Sequence, residues 1–365
     1  MGEAVAPDSF AETYAQARGK FLAAAQDASA RIYTYGLDDL TGIEGEPLAC
    51  DVAVLGPDDA ARAALAVSGT HGSEGFTGSA IQHRWLQSQH AGAKHDVKTV
   101  LVHAINPWAF SHKTRTTENN VDLNRNFIRD NVGYERANPG YDALAPFLHV
   151  DPSDARRSLE AYRGYQAYLN EHGWHLENEM LEGQFNRPDG LYYAGTEPAW
   201  SNRLFRRILG EHLRAARTIG FIDWHTGVGS FGEIVYLIFD DKGTPEHAAA
   251  SRWWNRSEEK SAFRSGATPK YRGLLSQAIR QELPAAWIAG GVIEFGTADE
   301  YSIFRGDCLD RWVRFEGRND PDVAQFREAY KDIMCPRDLS WRRAVLSEGP
   351  RLMDQLVAGV RAWAA

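Results

Sequence analysis

Cysteine is scarce in this chain. Cys50, Cys308 and Cys335 are scattered over 365 positions, too few for a disulfide framework, and no two have metal-ligand spacing. They are expected to be free thiols of a reducing compartment. Positive charge is in deficit as well: 40 Lys and Arg against 49 Asp and Glu leave a formal net charge of −9. Such a chain lacks the basic footprint that phosphate backbones require, which argues against nucleic acid as a partner. No apolar run approaches the roughly 18 to 20 residues of a membrane span. The opening residues Met1-Gly2-Glu3-Ala4-Val5-Ala6-Pro7-Asp8 hold no basic segment and no unbroken apolar stretch, so no secretory signal is expected and a cytoplasmic location is. Also missing are a linker rich in Pro, Gly or Ser, a low-complexity block and an internal repeat. A single domain over residues 1–365 is the simplest expectation.

What the chain does have is a hydrophobic share of 43% and a charged share of 24%, the balance of a globular protein with a sizeable core. Phe10, Tyr14, Ala17, Phe21 and Ala24 recur at helical intervals and predict an amphipathic helix over about 9–28. Apolar runs at 50–55 and 63–67, separated by the turn residues Gly56-Pro57-Asp58-Asp59, predict neighbouring strands. Residues 76–89 read as a helix, and 97–105 as a strand buried on both faces. Further strands are expected at 219–224, 233–239 and 287–295, with helices at 155–172, 200–217, 245–260 and 271–283. Residues 130–152 show no clear period and read as a long irregular segment, and the tail at 321–363 reads as helical. Alternation of this kind predicts an α/β fold with a mixed, largely parallel central sheet and helices on both faces.

Four stretches carry chemistry. Ser68-Gly69-Thr70-His71-Gly72-Ser73-Glu74-Gly75 follows an apolar strand and sets an imidazole three residues before a carboxylate, both ligands that zinc accepts. Phe221-Ile222-Asp223-Trp224-His225-Thr226-Gly227 places a second histidine at a strand end, where open α/β sheets bind their ligands. In Gly290-Gly291-Val292-Ile293-Glu294-Phe295-Gly296-Thr297 one carboxylate interrupts an apolar strand. A buried carboxylate needs a partner or a task; a salt bridge is one answer, and a base for the attacking water is the other. Residues 113–127 pack Arg115, Asp122, Asn124 and Arg125 into one polar segment. Arginine is suited to gripping a carboxylate by two parallel hydrogen bonds and to stabilising an oxyanion. Gly227-Val228-Gly229-Ser230-Phe231-Gly232 lacks the ending of a phosphate loop and reads as a rim loop.

Taken in order, His71-Gly72-Ser73-Glu74, Arg115, Asp122-Leu123-Asn124-Arg125-Asn126, His225 and Glu294 resemble the zinc carboxypeptidase family. The matched span is about residues 65–297. The phrases around His225 and Glu294 are most similar to the bacterial carboxypeptidase-like branch, related to succinylglutamate desuccinylase and aspartoacylase. The resemblance implies one zinc ion on His71, Glu74 and His225, with Glu294 as general base and Arg115 polarising the scissile carbonyl. It implies further that Asn124 and Arg125 hold the substrate carboxylate and that Asp122 orients His71. Tyr271 is the candidate for the family's pocket tyrosine, with packing as its alternative role. The implied activity is hydrolysis of an amide near a free carboxylate, on a peptide or, alternatively, an N-acyl amino acid. A third possibility is a catalytically silent binding protein on the same scaffold.

Overall fold

The computed structural model describes residues 7–93, 95–128, 137–255, 265–266 and 268–363. Seven strands form one sheet: β1 (Arg31–Thr41), β2 (Pro47–Leu55), β3 (Arg62–Val67), β4 (Lys98–His103), β5 (Thr218–Thr226), β6 (Ile234–Leu237) and β7 (Trp287–Phe295). Their order is β1-β2-β4-β3-β5-β7-β6. The central pairs β4/β3, β3/β5 and β5/β7 are parallel, and the outer pairs β1/β2, β2/β4 and β7/β6 are antiparallel. The expected mixed sheet with a parallel centre is therefore present.

Helices among the described residues are α1 (Tyr14–Asp27), α2 (Gly75–Ser88), α3 (Pro107–His112), α4 (Leu123–Asn126), α5 (Pro139–Leu148), α6 (Ala155–His172) and α7 (His175–Leu181). They continue with α8 (Trp200–His212), α9 (Pro245–Trp253), α10 (Leu275–Glu282), α11 (Glu300–Arg314), α12 (Val323–Met334) and α13 (Leu339–Ala362). None is long and apolar enough to cross a membrane.

Side chains alternate across the strands and divide the core in two. Ala64 and Ala66 of β3, with Leu101, Ile222 and Trp224, pack against residues of α1, α2, α9 and α13. Leu65 and Val67, with Val100, Val102 and Phe221, pack against Phe205, Leu209, Leu275 and Ile279 of α8 and α10. Helices thus cover both faces. Each Val or Leu buried this way contributes about 1.5–3 kcal/mol.

Two sequence expectations need correction, and several helix bounds shift. The strands at 50–55 and 63–67 are not neighbours, because β4 lies between them. Turn residues report that the chain reverses, not how far it steps, and the connection from 56 to 61 is long enough to pass one strand. The segment 130–152 is not irregular throughout: α5 begins there, its N-cap Asn138 accepting the Tyr141 N–H at 2.8 Å with proline in the first turn. Residues 129–136 lie outside the described residues. The tail is helical as expected, in two helices, α12 and α13, separated at Cys335-Pro336, since proline cannot continue the first of them. The helix expected over 200–217 ends at His212, and that over 271–283 begins at Leu275. The helix over 245–260 is α9 as far as Trp253, and residues 256–260 fall outside the described set.

Candidate metal centre

The parallel strands β3, β5 and β7 deliver their carboxyl ends to one rim. The loop after β3 is tied to β4 by Ser68 N–H donating to Val102 O at 3.0 Å and by Ile105 N–H donating to Ser68 O at 3.1 Å. Gly69 holds φ +72, and a Cβ on Gly72 would collide with the backbone of Ala109 in α3. Both glycines are therefore required to bring the loop this close. Glu74 stands at the N-cap of α2, yet its side chain makes no cap bond.

Its carboxylate instead lies between two imidazoles. His71 Nδ1 is 2.9 Å from Glu74 Oε1, and His225 Nδ1 is 2.7 Å from Glu74 Oε2. One ligand atom from each of the three residues lies within 4.8 Å of the others, and all three residues are buried. Burial pushes Glu74 upward, but the two histidines outweigh it and hold the group well below the ordinary carboxylate range.

The far nitrogen of each ring is held by another carboxylate. His71 Nε2 lies 3.1 Å from Asp122 Oδ1, and His225 Nε2 lies 2.9 Å from Asp223 Oδ2. Asp122 is also the N-cap of α4, accepting the Asn124 N–H at 3.0 Å, and it takes Arg115 Nε at 3.0 Å. Asp223 accepts the Thr70 hydroxyl at 2.7 Å. Two imidazole nitrogens and a carboxylate, each ring oriented by an acid behind it, are the donor set and the supporting set of a catalytic zinc site. The residues present fit the metal.

Glu294 sits in register opposite His225 across the β5/β7 pair and lines the same pocket as the three candidate ligands. Burial pushes its carboxyl up to about 7, against the pull of His225. The Val228 N–H of the glycine-containing rim loop approaches its Oε2 at 3.4 Å. Arg115, Asn124, Arg125 and Tyr271 line this pocket as well, so the structure brings every candidate residue to one place. Arg125 donates through Nε to Leu181 O and through Nη1 to Asn124 O. Its guanidinium carbon is 4.7 Å from the centre of the Tyr271 ring. Asn124 is committed internally: Nδ2 donates to Asp223 Oδ2 at 3.3 Å, and Oδ1 accepts the Leu275 N–H at 2.8 Å. Arg115 is held by Asp122 and, at 3.4 Å, by Glu74.

The family model described as "Protein of unknown function (DUF2817)" matches residues 10–348. The chain belongs to that family. No match is found among the curated proteins. Among solved structures the chain is similar to carboxypeptidase A from Helicoverpa armigera, at 12% identity over 92% of this chain and 76% of that one, TM-score 0.47. It is similar to a metallo-carboxypeptidase from Burkholderia cenocepacia, at 15% identity over 96% and 69%, TM-score 0.43. Bovine thrombin-activatable fibrinolysis inhibitor gives 12% identity over 88% and 97%, TM-score 0.43.

Three residues of this DUF2817 chain that sequence reasoning missed belong to the site. Asp223 had a readable signal, since residues i and i+2 of a strand share a face and it precedes His225 by two. Tyr192 and Asp307 line the pocket from a connecting segment and from α11. Neither stands in a distinctive sequence pattern.

Proposed function

We propose that this protein is a zinc-dependent hydrolase that cleaves an amide bond beside a free carboxylate, acting as a carboxypeptidase-type metallopeptidase. One observation carries the reading: Glu294 faces the same buried pocket as the converging donor atoms of His71, Glu74 and His225. A binding protein has no use for a base in that position. Zinc held by those three residues supplies Lewis acidity, lowering the pKa of water in contact with it to about 7 and polarising a carbonyl.

The remaining steps belong to the chain's own groups. Arg125, between aromatic rings and with Nη2 free of hydrogen-bond partners among the described residues, pairs with the substrate carboxylate and fixes the position of the amide. Glu294 takes a proton from the attacking water and returns it to the leaving nitrogen. Arg115 donates to the carbonyl oxygen as charge develops there. Asp122 and Asp223 hold the Nε2 atoms of the two imidazoles and so keep each Nδ1 turned toward Glu74. Leu181, Leu237, Phe239, Leu274 and Val292 give the pocket an apolar wall that suits an apolar side chain next to the gripped carboxylate.

The test is to supply zinc and incubate the purified protein with short peptides and N-acyl amino acids side by side, identifying products by mass. Release of a carboxyl-terminal amino acid is expected. Release of only the acyl group from N-acyl amino acids would replace the peptidase with a deacylase, and no hydrolysis of either class would remove the hydrolase reading.

A further inference from the structure

Apart from Glu74 and Glu294, the pocket contains one carboxylate that the mechanism above does not use. Asp307 projects from α11, lines the pocket and is partly exposed to it. Its Oδ2 accepts the Tyr192 hydroxyl at 3.1 Å. Its Oδ1 has no hydrogen-bond partner among the described residues, and no cation there forms an ion pair with it. A carboxylate that lines the pocket with one oxygen unpartnered among the described residues is an acceptor open to a donor on a bound ligand. Burial pushes its pKa up to about 6 against the pull of Arg115, which leaves it mostly ionised at neutral pH.

Tyr192 relates this acid to the rest of the site. It holds φ +55, a backbone conformation that few non-glycine residues adopt, and its ring lies 5.7 Å from the Arg125 guanidinium carbon and 5.5 Å from that of Arg115. One tyrosine side chain therefore touches both a group that accepts an anion and a group that accepts a cation. An extended dipeptide separates its charged ends by about 7 Å, so both ends of a peptide this short can reach groups gathered about one tyrosine side chain.

We propose that Asp307, positioned by the Tyr192 hydroxyl, binds the free amino group of the substrate, so that the preferred substrates are very short peptides, down to dipeptides, with both termini free. The inference rests on Arg125 gripping the carboxylate, as in the proposed function. An N-acyl substrate would instead set a carbonyl oxygen against the idle Oδ1, acceptor against acceptor.

The experiment uses calorimetry on the full chain carrying Glu294→Gln, with one equivalent of zinc, titrated with Ala-Phe and with N-acetyl-Ala-Phe. Ala-Phe should bind tighter by about tenfold or more, the scale of a hydrogen bond between charged groups. Adding Asp307→Asn should weaken Ala-Phe to the level of the acetylated peptide and leave the latter unchanged. Tyr192→Phe, which keeps the ring, should reduce the preference several-fold and serves if the Asp307 variant does not fold. Equal binding of the two peptides, failure of both to bind, or an equal loss on both after Asp307→Asn would overturn the proposal; the last would mean that Asp307 only balances Arg115. Hydrolysis by the zinc-loaded native chain is scored separately. An amino-group preference without hydrolysis would contradict the hydrolase reading and leave this one standing.

Discussion

His225 and His103 each close a buried strand, and those strands, β5 and β4, run in the same direction through the sheet. Each also has an aspartate at hand. Asp223 shares the face of β5 with His225, and Asp51 stands opposite His103 in the β2/β4 register. The difference lies in what the aspartate is already doing. Asp51 is taken by Arg18 at 2.6 Å and by the Thr34 hydroxyl at 2.6 Å, so His103 is left with Ser79 Oγ at 2.8 Å and a stacking contact on Phe21. Burial then lowers its pKa to about 4 and it stays neutral. Asp223 pairs with no Lys or Arg among the described residues and lies 2.9 Å from Nε2 of His225, while Glu74 meets the other nitrogen. The two histidines share a strand-end position; what marks His225 as the candidate ligand is a carboxylate within 2.9 Å of each ring nitrogen.

The comparison can be broken at several points. The largest effect is expected from His225→Ala, which should abolish zinc binding and with it all turnover, read by metal analysis of the folded variant. Glu294→Gln should keep zinc and lower kcat on the order of 10³-fold; retained turnover would remove the base assignment. Asp223→Asn should weaken zinc binding by about 10–100-fold, measured by chelator competition, whereas Asp51→Asn should leave zinc affinity unchanged. If both behave alike, the contrast between the two histidines fails.

Smaller effects follow from charge and packing. A carboxyl whose pKa is raised is neutral below that value and works as a base only above it. With Glu294 raised to about 7 by burial, kcat/KM should fall about tenfold per pH unit on the acid side, with a midpoint at or below this value because a bound cation favours the ionised form. A flat profile from pH 5 to 8 would contradict the role. The least effect is expected from His103→Phe, which forfeits the Ser79 hydrogen bond for about 1 kcal/mol of stability, read by thermal unfolding, with zinc content unchanged.

Much of this site is legible in the sequence because it is built where local patterns are strict. His225 and Glu294 lie near the ends of apolar strands, His71 and Glu74 in the loop that follows the apolar strand β3, and the parallel order of β3, β5 and β7 brings strand ends to one rim. Asp122 was legible through its fixed spacing to Asn124 and Arg125. Tyr192 and Asp307 were not, since their meeting depends on how the connecting segment after α7 and the helix α11 pack, and packing of side chains 115 positions apart leaves no period to read. Within the fold, strand identity was clearer than strand order: apolar runs mark β2, β3 and β4, but only pairing shows that β4 separates the other two. The edge strand β1 went unread for a related reason. With most of its residues outside the core, it lacks the apolar signature of the central strands.

The most direct test of the account is the zinc stoichiometry of the native chain and of His225→Ala, measured by elemental mass spectrometry on protein dialysed against the metal. Convergence of His71, Glu74 and His225 on one ion predicts one zinc per native chain and none in the folded variant. A native chain that takes up no zinc, or a variant that holds it equally well, would contradict the account.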